Sequence, residues 1–168
     1  MKEHTGISVN YDRLLNQVKA ELERGRPRSA GLQLVCDLLR ERVATYNWVG
    51  FYIADPEHQQ LVLGPFSGEP TEHVRIPWGR GVCGQAAAQN ATMVIPDVSK
   101  EQNYLSCSPR VRSEIVIPIR ATDGTILGEL DIDSHRTNPF TPADRTFLEA
   151  VAQEVAADMP LIPREDQT

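Results

Sequence analysis

The chain has 168 residues, of which 40% are hydrophobic and 24% are charged, a size and balance that fit one globular domain with its own core. Its net charge of −6 gives the surface no attraction for nucleic acid, so we expect no nucleic-acid partner. No apolar run approaches the ~18 residues of a membrane span, and the polar N-terminus lacks the pattern of a signal peptide. We therefore expect a cytoplasmic protein with no membrane contact, one domain over residues 1–160 and a frayed tail over 161–168.

The N-terminal part predicts two amphipathic helices. Apolar residues recur at helical spacing over residues 11–23, and again after Ser29, which can cap the second helix. Gly25 and Pro27 separate the two helices. Cys36 lies in the apolar stripe of the second helix, so we predict a small core residue that performs no reaction.

The rest of the chain predicts an antiparallel sheet. Strand-forming residues flank the turns at 55–57 and 123–124, which indicates two hairpins, and a polar loop over 97–112 lies between them. Thr141 begins a capping box with proline in the first turn of the last helix. Predicted strands cover 46–53, 61–66, 74–77, 93–95, 114–119 and 126–132, and predicted helices cover 84–90 and 142–159. The plan is an α+β fold with the N- and C-terminal helices on one face of the sheet and the ligand loops on the other.

Two aspartates in the last strand are unusual, because aspartate is a poor strand former. Alternation predicts an apolar face with Ile126, Leu130 and Ile132, and an acidic face with Glu129, Asp131 and Asp133. The acidic face either meets solvent or forms a carboxylate patch that receives the ammonium group of a small ligand. Glu114, one strand earlier, can join this patch. A carboxyl group among others in a partly dry pocket would have a raised pKa and could donate a proton.

Two cysteines are candidates for chemistry. Cys83 lies at the start of the alanine-rich helix, where the helix dipole favours a thiolate. Cys107 lies between two serines of the polar loop, where a cysteine has little packing role, and this favours reactivity. No CxxC or HxxxH pattern accompanies them, so we predict no metal site. Two unrelated structural cysteines remain an alternative.

Residues 79–84 match the GxGxxG pattern of dinucleotide sites, but the preceding strand contains Pro77 and no parallel βαβ unit follows. These glycines are better explained by a tight turn that brings the backbone close to a ligand. Trp48, on the first strand, can form an aromatic wall of that pocket or belong to the core.

Five segments, taken together, form a sequence pattern that is specific, although each alone would be weak. They are residues 47–52, 61–66, 81–84, 113–116 and 130–134. Together they resemble a stand-alone GAF domain protein of the free methionine-(R)-sulfoxide reductase type, with a likeness that extends over about residues 46–147. The resemblance implies a six-stranded antiparallel sheet flanked by helices and a chain that is often a homodimer. It also implies free methionine-(R)-sulfoxide as substrate, bound under the central loop.

The resemblance implies Cys107 as the attacking cysteine and Cys83 as a recycling cysteine. The residues implied to contact the substrate are Trp48 at the methyl group, and Glu114, Asp131 and Asp133 at the amine and sulfoxide. The attack leaves a sulfenic acid on Cys107, and a second thiol then closes a disulfide that thioredoxin can reduce. No bound cofactor is expected.

The chain departs from the family pattern ten positions before Cys83, where His73 replaces a third cysteine. Cys83 or an external thiol would then resolve the sulfenic acid. The segment around Cys107 is also altered. The leading hypothesis is a thioredoxin-linked reductase, and the alternative is a non-catalytic GAF module that binds or senses a small metabolite.

Overall fold

The computed structural model describes residues 8–105 and 108–162. They form four α-helices and one antiparallel sheet with the strand order β3-β2-β1-β6-β5-β4. The helices are α1 (Tyr11–Leu22), α2 (Arg28–Arg42), α3 (Gly81–Gln89) and α4 (Pro142–Val155). The strands are β1 (Trp48–Asp55), β2 (Gln60–Ser67), β3 (Arg75–Pro77), β4 (Met93–Ile95), β5 (Ser113–Arg120) and β6 (Ile126–Ser134). Every strand pair is antiparallel, which excludes a dinucleotide site of the parallel βαβ type.

The predicted architecture is confirmed, since α1, α2 and α4 pack on one face of the sheet. Their apolar stripes meet the inward residues of β1, β5 and β6 in a buried core. Cys36 is fully buried in this core, as its place in the stripe predicts. Of the predicted tail, Ile162 packs against the core, and residues 163–168 lie outside the described residues.

The second helix begins earlier than the cap at Ser29 predicts. Its N-cap is Pro27, whose carbonyl oxygen accepts hydrogen bonds from the backbone N–H groups of Ala30 and Gly31 at 3.0 and 3.1 Å. Because the carbonyl oxygen of Pro27 accepts the first of these hydrogen bonds, the helix starts at Arg28 and the serine falls inside the first turn. The capping box of Thr141 is confirmed, and α4 ends at Val155 with a 3₁₀ turn from Ala156 to Asp158.

The other face of the sheet carries α3, which begins at Gly81, three residues before the predicted start. Gly81 has φ +64°, and a Cβ there would lie 2.9 Å from the side chain of Leu105. A Cβ on Gly84 would lie 2.5 Å from the carbonyl oxygen of Pro77. The two glycines therefore let the start of α3 turn tightly and lie against its neighbours.

The predicted orientation of one side chain in β6 is wrong. Ile126 packs on the α3 face, although Leu130 and Ile132 face the terminal helices as predicted. The register of β5 and β6 shifts here, because Ile119 lies opposite Gly128 while the adjacent Arg120 lies opposite Ile126. This bulge inserts one extra residue and so breaks the alternation at the start of the strand.

Candidate functional site

The carboxylates of β6 lie at the centre of the sheet, because this strand is paired with β1 on one side and β5 on the other. Asp133 lies opposite Trp48 on β1 and opposite Glu114 on β5. Asp131, Asp133 and Glu114 all face α3, and they are only 1%, 2% and 5% exposed. The solvent-facing explanation of the acidic strand is therefore wrong, and the carboxylate patch is present.

The N-terminal turn of α3 places a thiol against this patch. The Sγ of Cys83 lies 3.6 Å from Oε1 of Glu114, and both residues are buried. One donor atom from each of Cys83, Glu114 and Asp131 lies within 4.8 Å of the others. Three such atoms could also hold a metal ion, so the expectation of no metal stays a prediction.

The acidic cluster favours protonated carboxyl groups. Burial raises the pKa of Glu114 well above its usual value, and the nearby Asp131 and Asp133 raise it further. Burial also raises the pKa of Asp131, to about 6. At neutral pH the patch therefore combines a carboxyl group that holds a proton with one that ionises readily.

The expectation of a thiolate at Cys83 is wrong for this environment. Burial raises the pKa of the Cys83 thiol well above its usual value, and negative charge on Asp131 and Glu114 adds to the shift. The dipole of a helix is worth only about 0.3–1 kcal/mol at an exposed end. Desolvation and close carboxylates outweigh that contribution, so Cys83 is held as a neutral thiol.

Glu129 continues the line of buried acids that Asp131 and Asp133 form on β6. We call these three residues, together with Glu114 on β5, the acidic row. Its side chain is 0% exposed, and neither carboxyl oxygen has a hydrogen-bond partner among the residues that the structure describes. Burial raises the pKa of Glu129 well above its usual value, and the charge of Asp131 adds to this. Alternation in the sequence places Glu129 on this face, but no sequence signal showed that it would be fully buried.

A small cavity lies beside Cys83. It has a volume of about 10 Å³, enough for one water molecule, and we call it the Cys83 cavity. Its lining includes Cys83, Glu114 and Asp131 from the patch, together with His73 and Leu105. His73, the position where the resemblance implies a third cysteine, therefore lies at the same cavity as the thiol of Cys83, a proximity that the sequence did not indicate.

A second cavity lies at the other end of the acidic row. We call it the Trp48 cavity; its volume is about 110 Å³, and Trp48, Asp133, Glu69 and Arg110 are among its lining residues. Trp48 is 4% exposed, stacks on Phe66 at 5.5 Å and donates a hydrogen bond from Nε1 to the backbone oxygen of Glu69 at 2.9 Å. The tryptophan is thus both a buried residue and an aromatic wall.

Cys107 lies outside the described residues, so its predicted role as the attacking thiol stays a prediction. The residues on either side of the gap can be described. Leu105 lines the Cys83 cavity, and Ser108 lines the Trp48 cavity. The two cavities flank one row of acids, because Asp131 lines the first and Asp133 the second.

A larger open groove of about 890 Å³ lies away from this cluster, between α4 and the β5–β6 hairpin. Arg120, Arg145 and Glu149 are the charged residues of its lining. None of the described residues along it is a cysteine or a buried acid. The groove therefore brings together fewer reactive side chains than the acidic row does. We take the acidic row as the candidate site.

Comparison with known proteins agrees with this fold. Residues 28–159 match the GAF domain, so the chain belongs to the GAF domain family. It is 43% identical to protein YtsP of Bacillus subtilis over 144 residues, which cover 86% of this chain and 87% of that protein. It is also 45% identical to the free methionine-R-sulfoxide reductase of Escherichia coli over 117 residues, or 69% of this chain and 68% of that one.

A solved structure supports the same relationship. The free methionine-R-sulfoxide reductase of Neisseria meningitidis, determined in complex with its substrate, superposes with a TM-score of 0.82 and 36% identity. The match covers 89% of this chain and 87% of that one. Within the described ranges, no helix is both long and apolar enough to cross a membrane.

Proposed function

We propose that this protein reduces free methionine-(R)-sulfoxide to methionine with its own thiols. The observation that carries the proposal is the contact between the buried thiol of Cys83 and the carboxyl group of Glu114, beside Asp131. A buried thiol among carboxyl groups brings a reductant and a proton donor to one place. Relatives named for this activity and their shared fold support the same assignment.

The acidic row suits a ligand that carries an ammonium group. Buried carboxylates are costly unless a cation offsets their charge, and the ammonium group of an amino acid supplies one. Asp131 and Asp133 hold this group, while Trp48 faces the methyl group on sulfur. The raised pKa of Asp131, about 6, still leaves it ionised at neutral pH when the cation arrives.

In the first step, the thiolate of Cys107 attacks the sulfoxide sulfur and Glu114 gives its proton to the sulfoxide oxygen. The hydroxyl group so formed passes to the sulfur of Cys107, which is oxidised to a sulfenic acid as methionine leaves. Leu105 and Ser108, close to Cys107 in the chain, support this choice because each lines one of the two cavities.

In the second step, Cys83 gives its proton to the ionised carboxylate of Glu114, 3.6 Å away, and becomes a thiolate. The new thiolate attacks the sulfur of Cys107, so a disulfide forms and hydroxide leaves, taking a proton from solvent to become water. Glu114 is then protonated again. An external dithiol protein of the thioredoxin type reduces the disulfide and restores both thiols.

The direct test is the consumption of NADPH by thioredoxin and thioredoxin reductase, with each epimer of free methionine sulfoxide as substrate. We expect turnover of the R epimer, none of the S epimer, and loss of turnover in Cys107→Ser. Cys36→Ser is the matched control, because this thiol is buried in the core between the terminal helices and the sheet, away from the acidic row. A hydroxyl group there can keep the contact with the backbone oxygen of Pro65. No turnover of the R epimer, or full turnover by Cys107→Ser, would remove the proposal.

The second candidate is the non-catalytic GAF module, which His73 favours because it stands where the family has a third cysteine. Binding of the sulfoxide without turnover by any thiol reductant would support this candidate. Release of methionine by the reduced protein alone would reject it.

A further inference from the structure

The Trp48 cavity carries opposite charges on its two sides. Asp133 lies on the floor of the cavity, at 2% exposure, as part of β6. Arg110 lines the rim, on the segment that follows Ser108. A ligand in this cavity therefore meets a carboxylate below and a guanidinium group at the edge. This arrangement is complementary to a molecule with both an ammonium and a carboxylate group.

Among the residues that the structure describes, the guanidinium group of Arg110 pairs with one exposed carboxylate. Its Nη1 lies 3.1 Å from Oε1 of Glu69, and the two side chains are 70% and 50% exposed. Exposed ion pairs contribute little to stability, so a better anion can take the place of Glu69 at small cost. Arg40, which also lines the cavity, already donates from Nε to the backbone oxygen of Asn47 at 3.0 Å.

Glu69 is itself fixed close to the cavity wall, because its backbone oxygen accepts a hydrogen bond from Nε1 of Trp48. The pair of Glu69 and Arg110 thus keeps the guanidinium group at the cavity. Arginine suits a carboxylate partner because its planar group can make two parallel hydrogen bonds with it.

We propose that Arg110 binds the α-carboxylate of an amino acid ligand and thereby selects free amino acids. The identity of that ligand as a methionine sulfoxide rests on the proposed function. The ammonium group then lies towards Asp133 and Asp131, and the side chain extends along the acidic row towards Glu114, with its methyl group beside Trp48. A residue within a peptide has its carboxyl group in an amide, so it offers no charge to Arg110 and binds more weakly.

The test is calorimetric titration with L-methionine-(R)-sulfoxide and with its α-carboxamide, carried out in a Cys107→Ser background that cannot reduce either compound. At about pH 6.5 the ammonium group of both compounds stays protonated, so they differ in the carboxylate charge alone. A charge-assisted pair of hydrogen bonds corresponds to a preference of about 10- to 100-fold in Kd for the free acid. We expect Arg110→Gln to abolish this preference, and Arg110→Lys to keep a smaller one.

The matched control is Arg136→Gln, which removes an exposed arginine that directly follows His135 of the cavity lining but is not itself part of that lining. It should leave the preference unchanged. A preference for the acid that survives in Arg110→Gln would overturn the inference, as would equal binding of acid and carboxamide by the protein with Arg110 in place.

Turnover measured on the same variants with Cys107 in place separates the two proposals. If the R epimer is reduced but Arg110→Gln keeps its preference for the acid, the proposed function stands and the role of Arg110 falls. If neither epimer is reduced and Arg110→Gln still abolishes the preference, the role of Arg110 stands and the proposed function falls. Failure of the protein with Arg110 in place to bind either compound overturns both.

Discussion

The thiol of Cys83 lies 3.6 Å from a carboxyl oxygen of Glu114, and both side chains are buried. The pKa of each group is raised by burial first and by neighbouring acids second. Glu114 can therefore handle one proton in each half of the cycle. Glu114 releases it to a substrate oxygen and then recovers a proton from Cys83, which makes the carboxyl group an acid in one half of the cycle and a base in the other.

Replacement of Glu114 tests this exchange. Glu114→Gln keeps the shape of the side chain but has no proton to give, so kcat for the R epimer should fall about 100- to 1000-fold. KM should change far less, because the aspartates that hold the ammonium group remain. Steady-state turnover with the thioredoxin system measures both constants, and a kcat within about twofold of the original protein would reject the assigned role.

The pH profile gives a second prediction. Asp131 must be ionised to hold the ammonium group, so kcat/KM should rise with pH through about 6, the raised pKa of this carboxyl group. Glu114 must be protonated to act as the acid, so kcat/KM should fall at a higher pH, above the raised pKa of Glu114. The profile is therefore bell-shaped.

Two variants assign the limbs of that profile. Glu114→Gln should remove the alkaline limb from its residual activity, and Asp131→Asn should remove the acidic limb. An alkaline limb that persists unchanged in Glu114→Gln would assign the falling activity to a different group.

The third prediction concerns the stability of the acidic row. The folded state holds the proton on Glu129 at a pH where the unfolded chain has released it, because the pKa is raised on folding. The contribution of Glu129 to stability is thus complete below its unfolded pKa and is lost as the pH rises through its folded pKa. Glu129→Met replaces an unpartnered buried acid by an apolar side chain of similar length.

The variant should be more stable than the original protein by about 1–3 kcal/mol at about pH 8, with a smaller gain at about pH 6. Urea unfolding at the two pH values gives the free energies of unfolding. A loss of stability at both values would show that Glu129 has a partner that stabilises its carboxyl group.

The fourth prediction has the opposite sign of pH dependence. Asp144 on α4 accepts hydrogen bonds from the hydroxyl groups of Tyr11 and Tyr46, and it completes the capping box with Thr141. Burial alone would raise the pKa of Asp144, but the hydrogen bonds from Tyr11, Tyr46 and Thr141 together outweigh it and lower the pKa. Its contribution to stability is therefore present above the unfolded pKa and lost as the pH falls through the folded value.

Asp144→Asn should lower the free energy of unfolding by about 2–3 kcal/mol near neutral pH, and by less in acid. The exposed Glu57→Gln is the control and should change stability by less than about 0.5 kcal/mol. An equal loss of stability for Asp144→Asn at neutral and acid pH would contradict a role for the charge.

The sequence allowed much of the acidic row to be predicted, because alternation places Asp131 and Asp133 on one face and the hairpin brings Glu114 beside them. The protonation state of Cys83 could not be predicted from its place in a helix. It depends first on burial, because α3 packs on the sheet, and then on carboxyl groups that are distant in the chain, such as Glu114, 31 positions away. The bulge that turns Ile126 to the other face likewise depends on the register of β5, which a single strand does not encode.

The central claim is tested most directly by one turnover of the fully reduced protein without thioredoxin. One equivalent of free methionine-(R)-sulfoxide is added, methionine is measured by chromatography, and the protein is digested without reduction for mass spectrometry. We predict one methionine per chain and a peptide pair linked through Cys83 and Cys107. Sulfoxide that remains unreduced, with both cysteines still free, would contradict the account.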